Sequence, residues 1–205
     1  PYPNFLRAVK SSPNANSRPT TARRAELFSG GNFYYDGTTY STNDAFNLSS
    51  NPNAEKTIYL DFDGADLTST AWSVSSLPAY SLDNDFNSFS TTEREAIIEI
   101  WQRVSADFAP WDVNITTAEP SNDSLSRSSY SDDIYGTTAL ITSDTPSWFY
   151  SGSGGVAYLN VFDETNDDYK PALSFADRVS NDTKNIAEVT SHEIGHNLGL
   201  SHDGT

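Results

Sequence analysis

"HEIGHNLGLSHDG" occupies residues 192–204, and all three histidines of the 205-residue chain lie within it. His192 and His196 are four residues apart. On an α-helix that spacing sets them about 40° apart around the axis and about 6 Å along it, so two imidazoles reach one ion. Glu193 lies beside them on the same side but displaced, near such an ion without ligating it. This is the HExxH arrangement, two zinc ligands and a general base. Were the helix to continue, His202 would stand about 240° round from His196 and about 9 Å beyond it. A break at Gly199, where glycine takes the left-handed conformation at little cost, folds the chain back and brings His202 in as a third ligand. Two surface histidines on an ordinary helix are the bland alternative. The longer pattern HExxHxxGxxH, with a glycine at the break, is the more specific reading.

The composition agrees with a metal that avoids sulfur. There is no Cys, so ligands for a transition metal come from His, carboxylate or water, and no disulfide framework exists. With every His inside one motif, Ser–His–Asp and Cys–His schemes have no spare base. Twelve Lys and Arg against 28 Asp and Glu give a net charge of −16, which repels nucleic acid and anionic lipid. No apolar run approaches the roughly 20 residues of a membrane span. The chain starts with Pro and shows no signal sequence, as expected of a mature or trimmed product. Hydrophobic residues at 36% and aromatics at 13% suffice for one domain with an appended segment.

Working backward, Asn185 and Glu188 suggest the cap of the helix NIAEVTSHEIGHNL (185–198). A polar, Asp-rich loop is expected over 163–183. GGVAYLNVF (154–162), TTALITS (137–143) and DVNIT (112–116) read as strands. STTEREAIIEIWQRVSADF reads as a helix, with Ser90 and Glu93 as a capping box and Ile97, Ile100, Trp101, Val104 and Phe108 at helical spacing. KTIYLDFDG (56–64) reads as a buried strand stopped by Gly64. The first 25 residues suggest a loosely docked extension, and NFYYDGTTYS a hairpin turning at Asp36-Gly37.

HEIGHNLGLSHD resembles the extended zinc signature of the metzincin metalloendopeptidases, and Asp203 after the third histidine is most similar to the adamalysin (reprolysin) pattern. TIYLDFDG, IWQRVSADFAPWDVNIT and GGVAYLNVF resemble a bacterial secreted branch, so the resemblance covers about residues 56–205. It implies an α/β (α+β) fold: a metzincin-like N-terminal subdomain with a mixed, twisted sheet of about five strands and two long helices. The second of these helices carries the zinc site. It also implies an antiparallel edge strand at the rim of the cleft, to which a protein or peptide substrate adds. Gly154, Gly155, Val156, Ala157 and Tyr158 correspond to that edge by their order; an ordinary core strand is the alternative. Zn²⁺ is the implied cofactor, with His192, His196 and His202 as ligands and Glu193 as catalytic base. Asp203 either anchors the turn or stands exposed.

Residues 1–55 are then an N-terminal extension with a hairpin, a candidate pro-segment remnant, and residues 56–205 the N-terminal subdomain of a catalytic domain. The C-terminal subdomain, the remainder of the same protease, is the expected partner; its Met-containing turn has no counterpart in a chain without Met. Asp36 is a candidate latch for the open metal position, against the plainer reading of a type I′ turn. The segments DNDFN (83–87) and DETNDD (163–168) offer oxygen ligands for Ca²⁺ or are simply solvated charge. The competing readings of the whole are a non-catalytic zinc-containing binding domain or inactive fragment, and a calcium-stabilised surface module. Secretion is the expected localisation.

Overall fold

The computed structural model describes residues 32–35, 38–146, 149 and 152–202. Its centre is the run that reads KTIYLD. Strand β3 (Lys56–Asp61) is buried along nearly its whole length because it lies between two parallel neighbours, which explains the unbroken apolar and β-branched sequence. Those neighbours are β6 (Asn114–Thr116) and β7 (Tyr135–Thr142). The sheet continues through β9 (Ala172–Phe175), parallel to β7, and ends at β8 (Gly155–Val156), antiparallel to β9. The order is β6-β3-β7-β9-β8. This is the mixed five-strand sheet with an antiparallel edge that the resemblance implied.

Two long helices, α1 (Thr91–Phe108) and α3 (Thr183–Asn197), cover one face. Ser90 and Glu93 form the expected capping box on α1: Glu93 N–H donates to Ser90 Oγ, and Ser90 N–H donates to Glu93 Oε2 at 2.7 Å. Ile97, Ile100, Trp101 and Val104 of α1 meet Ile58, Leu60, Ala139 and Ile141 of the sheet and Ile186 and Ile194 of α3 in one core. The indole N–H of Trp101 donates to Ile115 O at 2.8 Å, satisfying the polar end of the largest buried side chain. On the opposite face, a small antiparallel pair, β4 (Ala65–Leu67) with β5 (Val74–Leu77), sets Leu67 and Leu77 on Leu140, Leu173 and Phe175. Alternation along β7 sends Ala139 and Ile141 to the helices and Leu140 to this hairpin. A single-turn helix α2 (Asn122–Leu125) precedes β7.

Strands β1 (Asn32–Tyr35) and β2 (Thr38–Ser41) pair antiparallel with Tyr35 opposite Thr38, so a two-residue connection joins them as Asp36-Gly37 suggested. Asp36 itself lies outside the described residues, as does Asp203. The chain after β2 is built into the domain. Ala45 and Leu48 are wholly buried in the helix-side core, and Ser50 N–H donates to Ile115 O at 3.0 Å beside β6.

Three expectations are corrected. The segment 163–183 is not a loop throughout: Ala172–Phe175 is a fully buried strand inside the sheet. The nine-residue strand 154–162 shrinks to Gly155–Val156, with Gly154, Ala157 and Tyr158 flanking it. Helix α3 is capped earlier than Asn185: Asp182 accepts from Asn185 N–H at 2.9 Å, because left-handed Ser180 and Asn181 turn the chain just before it.

Candidate metal centre

Helix α3 is two-sided. Ile186, Ala187, Thr190 and Ile194 face the core, while His192 is exposed and His196 half-buried on the outer side. Its C-terminus closes as a Schellman motif. Leu200 N–H donates to Gly195 O and Gly199 N–H to His196 O, both at 2.9 Å, with Gly199 at φ +91°. The returning Leu200 side chain packs beside Gly195, 3.5 Å from where a Cβ would stand, an ordinary contact. Two residues later the chain has reversed far enough to present His202.

The outcome is convergence of three imidazole nitrogens. His202 Nε2 lies 2.9 Å from His192 Nε2 and 3.1 Å from His196 Nε2. Among the described residues, these three side chains form a group whose ligand atoms all fall within 4.8 Å of one another. A tetrahedral ion with bonds of about 2.0–2.1 Å needs its nitrogens about 3.3 Å apart, so the triad closes around zinc with a few tenths of an ångström of opening. The donor chemistry fits as well. His196 Nδ1 lies 2.7 Å from Leu200 O, a carbonyl that only accepts, so the proton sits on Nδ1 and the Nε2 lone pair is free for a metal. Burial and the two neighbouring imidazoles hold the His192 pKa below the usual histidine range, which favours the neutral, ligating form.

Glu193 is 5% exposed, tucked between the helix and the edge of the sheet. Burial pushes its carboxyl up to about 7. A Cβ on Gly155 would stand 2.7 Å from Glu193 Cγ and 2.6 Å from Leu173 O, so only glycine lets β8 pass this close to the carboxylate stem. Gly154 lies against Val179 and Val189 in the same way. Phe175 N–H donates to Gly154 O at 2.7 Å, so by antiparallel alternation Gly155 turns its N–H and C=O away from β9, the carbonyl accepting from Ser153 Oγ at 3.2 Å, and the same register continued past Val156 turns Ala157 outward. The flanking residues Val156 and Tyr158 turn theirs inward.

Four groups at this site went unread in the sequence: Asn160, Leu200, Asn197 and Thr137. Asn160, at φ +57°, donates its N–H to His196 O at 2.8 Å, and its side chain abuts Gly199. Leu200 contributes only a carbonyl. Asn197, buried directly after the second histidine, bonds Tyr158 O and Thr137 Oγ1. Asn197 alone offered a signal, an amide side chain beside a ligand; the other three act through backbone or a distant strand.

Several carboxylates of the Asp-rich segments have local partners. Asp85 accepts from Asn87 N–H and Ser88 Oγ, Asp83 from Asp85 N–H, and Asp167 pairs with Lys170 at 2.8 Å. Among the described residues, no helix is long and apolar enough to cross a membrane. No curated protein matched the chain. Residues 97–203, from the middle of α1 through the third histidine and just over half of the chain, match the metallo-peptidase family M12B, reprolysin-like. With that match added to a histidine triad suited to zinc, the chain belongs to the reprolysin-like metallopeptidases, a zinc-dependent peptidase family that acts on proteins or peptides.

Proposed function

We propose that this chain carries the catalytic centre of a zinc endopeptidase, with His192, His196 and His202 as the zinc ligands and Glu193 as the general base. The observation that carries the reading is the convergence of the three Nε2 atoms beside a buried carboxylate. Bound zinc supplies Lewis acidity, which acidifies a water and polarises a carbonyl. Glu193 accepts the proton of the attacking water on its carboxylate and delivers it to the amide nitrogen of the leaving segment. The outward N–H and C=O groups of Gly155 and Ala157 receive an extended peptide as an added strand. Gly199 keeps the turn that presents His202.

The same reading extends to the protein's surroundings. Residues 56–205 form the N-terminal subdomain, residues 1–55 an extension whose last part is docked on it, and a C-terminal subdomain of the same protease supplies the other wall of the cleft. The enzyme works outside the cell, consistent with an acidic surface and no Cys. Calcium at the Asp-rich segments rests on their composition alone.

Glu193→Ala tests the central claim. Zinc stoichiometry stays at that of the wild type while hydrolysis of a general protein substrate falls at least about 10²-fold. Activity within a few-fold of wild type removes Glu193 from the mechanism. A wild-type chain that binds zinc and cleaves nothing, with or without chelator, favours the non-catalytic binding domain.

A further inference from the structure

We infer that Asn197 is a positioning residue that carries the substrate edge past the point where the sheet can no longer hold it. The inference rests on the peptidase reading for its consequence, though not for its geometry. The register of β8 on β9 pairs Gly155 with Ser174 and Val156 with Leu173. Continued two residues further, it sets Tyr158 opposite Pro171. By alternation, Tyr158 is a position whose carbonyl points at β9 and needs a backbone N–H there. Proline has none. The ladder stops after Val156, and the Tyr158 carbonyl would be left without a donor inside the fold.

Asn197 replaces the missing donor. Its Nδ2 donates to Tyr158 O at 3.0 Å. Its Oδ1 lies 2.9 Å from Thr137 Oγ1 on β7, whose single proton is shared with Lys170 O at 2.7 Å. Its own carbonyl accepts from Val161 N–H at 2.9 Å and Phe162 N–H at 3.0 Å. The side chain is 1% exposed, so water does not substitute for any of these partners. Segment 158–162 therefore hangs on the last turn of α3, one residue from the ligand His196. The outward groups of Gly155 and Ala157 lie between two anchors, β9 on one side and Asn197 on the other. At Tyr158 the Asn197 side-chain amide ties the peptide-binding edge to the ligand helix, beside the backbone bonds that Asn160, Val161 and Phe162 make to its last turn.

The test uses the full chain loaded with zinc and reads amide hydrogen exchange at residues 155–162. Asn197→Leu keeps roughly the size but removes donor and acceptor; Asn197→Ala also removes the bulk. Each raises exchange at 155–158 about five- to tenfold, the scale of one lost buried hydrogen bond, and leaves one zinc per chain. Pro171→Ala restores a backbone N–H opposite Tyr158, so Asn197→Ala with Pro171→Ala regains most of the lost protection. In the same series KM for an extended peptide rises while kcat changes less. Unchanged exchange in both single variants overturns the inference, as does absence of rescue by Pro171→Ala. Should no form cleave peptide, the peptidase reading fails while exchange and rescue still decide the role of Asn197.

Discussion

Gly199→Ala probes how the third ligand is delivered. Gly199 sits at φ +91°, where an L side chain costs roughly 1–2 kcal/mol relative to glycine. Its new methyl would stand 2.9 Å from Asn160 Oδ1, a few tenths of an ångström inside ordinary contact. The Asn160 backbone is held by its N–H on His196 O, but Oδ1 ends a side chain that can turn aside, so the contact adds less than the backbone term. The two effects together amount to about 1–3 kcal/mol, or about five- to 150-fold in an equilibrium constant. If the metal-free chain relieves the strain by opening the turn, His202 must be pulled back on binding, and zinc affinity falls by that factor. If the turn holds, the same free energy appears as a lower melting temperature of the metal-free protein. Competition with a chelating indicator measures the first and thermal unfolding the second. The double variant Gly199→Ala with Asn160→Gly recovers the contact share and leaves the backbone share. Zinc affinity within twofold of wild type, together with an unchanged metal-free melting temperature, refutes the role given to this turn.

Burial pushes the Asp61 carboxyl up to about 7, with the Asp63 and Glu119 charges adding to burial and the Asp63 N–H opposing it. A folded pKa above the unfolded one means that the folded state binds the extra proton between about pH 4 and 7. Stability from this group is therefore present below about 4 and lost as pH rises through 7. Asp61→Asn is expected to raise the melting temperature at pH 8 and to change it little at pH 4; equal shifts at both would remove Asp61 as the cause. Calcium added to zinc-loaded protein is expected to leave the melting temperature unchanged, because Asp83, Asp85 and Asp167 already serve local partners. A calcium-specific rise, with zinc content constant, would reinstate those segments as a site.

What could be read from the sequence was what repeats or caps. Helix α1 announces itself through Ser90, Glu93 and five apolar residues at helical spacing, and the structure uses each as the spacing suggests. The histidine triad was legible because His192 and His196 share a helix face and Gly199 marks the break. Strand β9 was not legible. Buried between β7 and β8, it has no polar face to alternate, and four residues after Pro171 give no period to count. The hairpin β4–β5 was hidden in the same way by its short strands.

The over-long reading of the edge strand follows from the missed one. GGVAYLNVF has the apolar content of a nine-residue strand, and only its partner decides where pairing stops. That partner begins at Ala172, immediately after a residue with no N–H, so no ladder bond is available beyond Val156, and left-handed Asn160 then turns the chain out of extension. Past that point, the remaining apolar residues are redirected. Asn160 and Val161 bond the last turn of α3, and Phe162 enters the helix-side core beside Tyr135. A sequence motif records the three ligands because they touch one ion. The groups that set the ligands against the edge strand are spread over Thr137, Tyr158, Pro171 and Asn197, on four segments that meet only in the fold. They leave no local pattern, yet they fix where a bound peptide would lie relative to Glu193.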